Sequence, residues 1–105
     1  MKYLPFILVS VALFSGCTQP VAQISAPEQA KELCVKACMD VKASGLDISN
    51  GPCLSNEVIR DWVCDVAHSP RQDVDNQPAN QCPAFGKTAS HFVEVDTDCN
   101  FIRSN

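Results

Sequence analysis

The sequence predicts an α+β fold: a small, disulfide-stapled domain in which one long N-terminal helix packs on a small antiparallel sheet. Three observations lead to this prediction. An amphipathic helical pattern lies early in the chain, short alternating segments lie near its end, and seven cysteines occur among 105 residues. The chain has room for one domain, and so small a core usually needs support from disulfides or metal.

The helix is predicted over residues 26–44. Ser25 can cap its first turn, Pro27 suits that turn, Glu28 completes a capping box and Gly45 provides the stop. An apolar stripe recurs at i, i+4, i+7, i+8 and i+11, as expected for a helix that buries one face. Its members are Ala30, Cys34, Ala37, Cys38 and Val41.

Two segments after the helix allow more than one structure. The breaker Asn50-Gly51-Pro52 is followed by Ser55 or Asn56, either of which could cap a short second helix that ends at Arg60. Residues 62–66 fit a helix or a strand. The strand is favoured because it places Cys64 on one face with Trp62 and Val66, and cysteine is usually buried.

A hairpin is predicted at the C-terminus. Residues 92–96 alternate like an amphipathic strand, residues 96–98 have turn chemistry, and residues 99–103 can return as a partner strand.

Residues 69–80 form a long polar connection that contains Pro70 and Pro78 and has no hydrophobic period. Such connections in small domains are often functional. This loop is therefore the predicted contact surface, and its hydrogen-bonding side chains are Arg71, Asp73, Asp75, Asn76 and Gln77.

Six cysteines in the body of the domain predict three disulfides. They are Cys34, Cys38, Cys53, Cys64, Cys82 and Cys99. Fifteen pairings are possible, and Cys34 and Cys38 lie one helical turn apart, so each should pair with a distant partner. The preferred set is Cys34–Cys64, Cys38–Cys53 and Cys82–Cys99.

Metal and acid–base sites are the rival interpretations. Cys34-x₃-Cys38 and Cys64-x₃-His68 could share a zinc ion, although thiols outside the cytoplasm tend to oxidise.

His68 and His91 could also form a metal or acid–base site with nearby acids. The acids in question are Asp65, Glu94 and Asp96. The alternative is two ordinary surface histidines. No cofactor, metal site or catalytic residue is assigned.

Asp96-x-Asp98-x-Asn100 opens like a calcium loop, but Phe101 stands where such a loop needs glycine. A hairpin turn explains this motif better.

The N-terminus has the pattern of an export signal. Lys2 precedes an apolar run over residues 4–14 that is too short to span a membrane. The run ends in Leu13-Phe14-Ser15-Gly16-Cys17, which resembles the lipobox of prokaryotic lipoproteins.

The lipobox resemblance implies a signal peptide over residues 1–16, a lipidated Cys17 that begins a flexible tether over 17–24, and a cysteine-rich domain over 25–105. Secretion after cleavage elsewhere, with Cys17 incidental, is the alternative.

The net charge argues against a nucleic-acid partner. The whole chain carries a formal charge of −4, and removal of Lys2 with the leader leaves seven basic residues against twelve acidic ones.

Residues 51–56 and 62–71 resemble blocks of uncharacterised small, cysteine-rich exported proteins of archaea and bacteria, a resemblance that implies no activity. The expected function is a membrane-anchored binding or interaction module at the cell envelope, with an unknown protein or small-molecule partner. The alternatives are a small metal-dependent or hydrolytic enzyme using His68 and His91, and a structural envelope component.

Overall fold

The computed structural model describes residues 24–105 and confirms the predicted α+β class. One helix packs on a four-stranded sheet. The elements in chain order are α1 (Ala26–Ala43), β1 (Cys53–Ile59), β2 (Trp62–Val66), two short 3₁₀ turns (Asp73–Asn76 and Pro78–Asn80), β3 (His91–Val95) and β4 (Phe101–Ser104). The predicted signal peptide, Cys17 and all of the tether except Ile24 lie outside the described residues.

The ends of α1 follow from local hydrogen bonds. Ser25 Oγ accepts a bond from a first-turn N–H at 3.3 Å, which satisfies one of the free donors of the helix start. At the other end, the N–H groups of Gly45 and Leu46 donate to the carbonyls of Lys42 and Val41. Gly45 has φ +89°, so this is the Schellman ending that glycine favours. The observed helix ends at Ala43, one residue earlier than the predicted end at residue 44.

The sheet has the strand order β1-β2-β3-β4 and is mixed. β1–β2 and β3–β4 are antiparallel, whereas β2 and β3 run parallel, with Trp62 opposite His91 and Val66 opposite Val95. The predicted antiparallel pairing is thus found at two of the three strand pairs, and the β2–β3 pair is parallel. The connection over 67–90 exceeds the dozen or so residues that a parallel crossover needs, so it can return the chain to the start of β2. The C-terminal hairpin, β3–β4, is confirmed.

Residues 53–59 form the edge strand β1, and the predicted second helix ending at Arg60 was wrong. Asn56 and Glu57 are exposed on this edge, so the polar sequence that resembles a helix cap is compatible with a strand. A two-residue turn with Asp61 at φ +75° joins β1 to β2, as in a tight hairpin.

The sheet is covered on both faces. On one face, α1 buries Ala30, Cys34 and Cys38 against residues of the central strands. Those residues include Trp62, Cys64, Val66, Val93 and Val95. This confirms that residues 62–66 form a strand with Trp62, Cys64 and Val66 on one side. The other face packs Val63 against Cys82 and Ala89 of the 67–90 segment.

Three disulfides connect these layers: Cys34–Cys64, Cys38–Cys99 and Cys53–Cys82. The first pairing was predicted. The other two predicted pairings, Cys38–Cys53 and Cys82–Cys99, were wrong. Cys38 bonds to Cys99 because the C-terminal hairpin packs against the same helix. Cys53 lies opposite Asp65 on the face away from the helix, where it bonds to Cys82 of the 67–90 segment, which covers that face.

The disulfides close loops with sequence separations of 30, 61 and 29 residues. In the chain-entropy model, each stabilises the fold by about 3.5 to 4.5 kcal/mol. Three disulfides in so small a domain fit an extracytoplasmic, oxidising compartment. Within residues 24–105, no helix combines the length and apolar character that a membrane crossing requires.

Gly51 provides a test of how the 67–90 segment docks on the sheet. This glycine is buried at φ +72°, and a Cβ atom there would lie 2.5 Å from Asp75 Oδ1 and 3.1 Å from the Val66 carbonyl oxygen. Gly45, at φ +89°, has no atom within 4 Å of the same position. Comparing alanine substitutions at the two glycines therefore distinguishes the cost of backbone strain from the cost of a steric clash.

We expect Gly51→Ala to lower the free energy of unfolding by about 3 kcal/mol, because it adds a clash to the cost of the left-handed backbone. Gly45→Ala should lose only about 1 kcal/mol, from the backbone alone. Urea denaturation of both variants measures the difference. Equal losses would show that Asp75 does not pack against Gly51.

Candidate functional site

A cavity of about 150 Å³ lies on the face of the sheet opposite α1. The three strands β2, β3 and β4 provide one side, and the 67–90 segment provides the other. The strand residues that line it are Val63, Asp65, Phe92, Glu94 and Arg103. The covering segment contributes Arg71, Gln81, Cys82 and Phe85.

Strand alternation and register bring the charged side chains together. Because Cys64 faces the helix, its neighbour Asp65 must face the cavity. The parallel pairing of β2 and β3 sets Asp65 opposite Glu94, and the antiparallel pairing of β3 and β4 sets Glu94 opposite Arg103. Two carboxyl groups therefore lie on adjacent strands, with a guanidinium on the third.

Glu94 is buried and paired on both of its oxygens. Arg71 Nη1 donates to Oε2 at 2.9 Å, and Arg103 Nε donates to Oε1 at 2.8 Å. A buried carboxylate needs such compensation, since removal from water is costly. Glu94 thus joins the covering segment to β4.

Asp65 lacks this compensation. Asp65 is only 9% exposed, and its Oδ1 atom has no hydrogen-bond partner among residues 24–105. Burial, followed by the negative charge of Glu94, raises the pKa of Asp65 from its usual 3.8 to about 7. Asp65 therefore exchanges a proton near neutral pH, and its carboxyl group retains unused hydrogen-bonding capacity.

The opposite end of the cavity is aromatic. The rings of Phe85 and Phe92 meet edge to face with centroids 5.5 Å apart, and the Arg103 guanidinium lies 5.3 Å from the centre of the Phe92 ring. Phe85 is 46% exposed, which places it at the rim. The cavity is thus apolar at one end, and at the other it carries the Asp65 and Glu94 carboxyl groups with the two arginines that pair with Glu94.

Asp75, one of the five predicted contact residues, is buried inside the loop. Its carboxylate accepts bonds from the His68 N–H, the His68 Nδ1–H and the Gln72 N–H, each at 2.9 Å. Burial alone would raise the pKa of Asp75, but these hydrogen bonds and the neighbouring His68 lower it below 3.8. Asp75 therefore holds the loop in place and presents no charge to solvent.

The remaining predicted contact residues are exposed. Arg71 reaches the cavity, and its Nε donates to Asn76 Oδ1 at 2.8 Å. Asp73 and Gln77 lie at the outer surface of the loop and do not line this cavity. The structure thus joins one predicted contact residue, Arg71, to the site.

The two histidines lie at opposite ends of the parallel strand pair. His68 follows the end of β2, whereas His91 begins β3, where its ring stacks on Trp62 at 4.5 Å and its Nε2 lies 3.5 Å from Asp61 Oδ2. The length of a five-residue strand, about 13 Å, separates these ends. The hypothesis of one site that uses both imidazoles is therefore wrong.

The cysteines of the proposed zinc site are not free thiols. Cys34, Cys38 and Cys64 are in disulfides, so their sulfurs are not available to zinc in this form. In the part of the chain that the structure describes, no group of three or more histidine, cysteine or acidic side chains could hold a metal ion.

Asp96 Oδ1 accepts bonds from the Asp98 and Asn100 N–H groups, which is the expected hairpin turn rather than a calcium loop.

Comparison with known proteins provides no further assignment: no protein-family model, no curated protein and no solved structure matches this chain.

Proposed function

We propose that this protein is an exported, lipid-anchored binding module whose cavity opposite α1 binds a small molecule. The observation that carries this proposal is the buried Asp65 carboxyl group, whose Oδ1 atom has no hydrogen-bond partner among residues 24–105. An unsatisfied buried polar group costs about 1 to 3 kcal/mol, and more when it is charged. A ligand that donates a hydrogen bond to the Asp65 carboxyl group stabilises its ionised form and gains binding free energy from that contact.

The size and lining of the cavity support a small ligand. A cavity of about 150 Å³ is large enough for a benzene-sized group, and Phe85, Phe92 and Val63 provide an apolar wall for one. The opposite end offers the Asp65 carboxyl group. This pattern of an apolar wall with a few polar groups is typical of binding sites for small molecules.

The loop over 69–80 forms the polar margin of the proposed site. Arg71 extends from it to Glu94, and Arg71 Nη2 donates to the Asp75 carbonyl oxygen at 3.3 Å. The Arg71–Glu94 ion pair thus holds the loop against the sheet, and the bond to Asp75 braces the loop internally. The loop is the surface that a larger ligand or a protein partner would meet first.

Hydrolytic catalysis has less support. His68 is oriented by Asp75, an arrangement that suits a general base. However, no hydroxyl or thiol group in the described residues hydrogen-bonds to the His68 ring, so no nucleophile accompanies it. The proposal therefore assigns the site to binding.

The first functional prediction concerns the aromatic wall. We expect benzyl alcohol to give a saturation-transfer NMR signal with the full-length protein, and Phe85→Ala to weaken its binding by about tenfold, since that ring forms the rim. Phe101→Ala is the matched control, because Phe101 is 38% exposed and its ring lies under Lys31 of the helix. No signal, or equal effects of both variants, would contradict binding in this cavity.

The second prediction concerns the membrane anchor. We expect mass spectrometry of the protein from its native membrane to show a chain that begins at Cys17 and carries acyl chains, each buried CH₂ contributing about 0.8 kcal/mol to membrane affinity. Cys17→Ser should incorporate no labelled fatty acid. Ser15→Ala keeps a small residue before the cleavage site and should be lipidated normally. Labelled fatty acid on Cys17→Ser would show that Cys17 is not the attachment site.

A further inference from the structure

We propose that the ligand of this cavity is a small primary amine with an aromatic body, whose ammonium group donates to the Asp65 carboxyl group while its ring packs between Phe85, Phe92 and Val63. This inference rests on the proposed function and specifies its ligand class. Three features of the cavity support it: the hydrogen bonds that its wall residues already make, the charges around Asp65, and the volume of the cavity.

The donors of Arg71 and Gln81 that line the wall already have acceptors, whereas Arg103 uses its Nε and its side chain is 59% exposed, so water can meet its terminal nitrogens. Arg71 and Arg103 donate to Glu94, and Gln81 Nε2 donates to the Asp75 carbonyl oxygen at 2.9 Å. Among residues 24–105, the buried side-chain polar atom without a partner is an acceptor, Asp65 Oδ1. A ligand that completes this site must therefore bring a donor, which favours an amine over a carboxylate.

The carboxyl group can present either oxygen to a ligand by rotation about its terminal torsion. Oδ1 itself is buried, but the Asp65 side chain lines the cavity. Its terminal torsion is a broad, two-fold rotation, so the two oxygens exchange places easily. An ammonium group in the cavity could therefore contact either oxygen.

The surrounding charges distinguish an ammonium group from a neutral donor. Glu94 of β3 and Asp75 of the covering loop make the surroundings of Asp65 more negative, whereas Arg71 of the loop makes them more positive. Arg103 of β4 is committed to Glu94. When an ammonium group binds, it takes the place of the Asp65 proton, so the net charge of this group of side chains is unchanged. A neutral donor provides no such compensation for the ionised carboxylate.

The shape of the cavity limits the size of the ligand. Its volume of about 150 Å³ holds one phenyl-sized group. Phe85 and Phe92 already meet edge to face, a geometry that a third ring can extend. Benzylamine is the simplest compound with both required parts, and benzyl alcohol and benzoate are its neutral and anionic counterparts.

Isothermal titration calorimetry of the full-length protein at pH 8 tests the ligand class. We expect benzylamine to bind at least ten times more tightly than benzyl alcohol and benzoate to bind more weakly than either. Asp65→Asn should abolish the preference for the amine by lowering the affinity for benzylamine at least tenfold. Asp73→Asn is the matched control, because this exposed acid lies in the 69–80 loop beside the cavity but does not line it; it should retain the preference.

The outcomes separate this inference from the proposed function. If benzyl alcohol binds as tightly as benzylamine, or if benzoate binds best, the amine is the wrong ligand class although the cavity still binds small molecules. If Asp65→Asn keeps the preference for the amine, Asp65 is not its partner. If none of the three compounds binds, both the ligand class and the proposed site are wrong. Circular dichroism of each variant shows that the fold is retained.

Discussion

The disulfide between Cys34 and Cys64 fixes which face of the central strand β2 meets the helix. Side chains alternate along a strand, so once Cys64 is bonded to α1 the neighbouring Val63 and Asp65 must point to the opposite face. That face is covered by the 67–90 segment, which Cys53–Cys82 links to β1. An acidic side chain in the middle of a central strand therefore cannot reach the open solvent. The cavity and its buried carboxyl group follow from this one constraint.

The helix, the central strand and the final hairpin could be predicted because their signals are local. The helix start and stop depend on Ser25 and Gly45, whose capping interactions involve only nearby backbone groups. The strand at residues 62–66 was chosen over a helix because it buries Cys64. The turn before β4 depends on Asp96, which bonds to backbone groups two and four residues ahead. Each of these inferences needs fewer than about twenty consecutive residues.

The sheet pairing and the site depend on contacts between distant residues, which the local pattern does not contain. The parallel partners Asp65 and Glu94 are brought together by the path of the 67–90 segment, and nothing within either strand specifies it. In the sequence, both acids stand out only as possible companions of the two histidines. No local pattern in the sequence marks Phe85, Phe92 or Arg103 as residues of a site. The one available signal was the position of Asp65 between Cys64 and Val66, which suggested a carboxyl group within a buried strand.

The energetic consequence of the buried carboxyl group has a definite sign. In the unfolded chain, Asp65 loses its proton near its ordinary pKa of 3.8, whereas in the folded protein its pKa is about 7. Between these values the native state binds a proton that the unfolded state has released, so stability falls as the pH rises. The full difference corresponds to roughly 4 kcal/mol. The acids with lowered pKa values, such as Asp75 and Asp96, act in the opposite direction and below this pH range.

The free energy of unfolding as a function of pH tests most directly whether the Asp65 carboxyl group is buried with too few partners to stabilise its charge. Denaturant titrations between pH 4 and pH 8 should show the wild-type protein losing stability with rising pH, with the loss ending near pH 7. Asp65→Asn should remove most of this slope and be the more stable protein at pH 8, since its amide cannot ionise. Asp40→Asn, which alters an exposed acid paired with Lys36, should leave the slope unchanged. Equal slopes for the wild-type protein and Asp65→Asn would contradict the account.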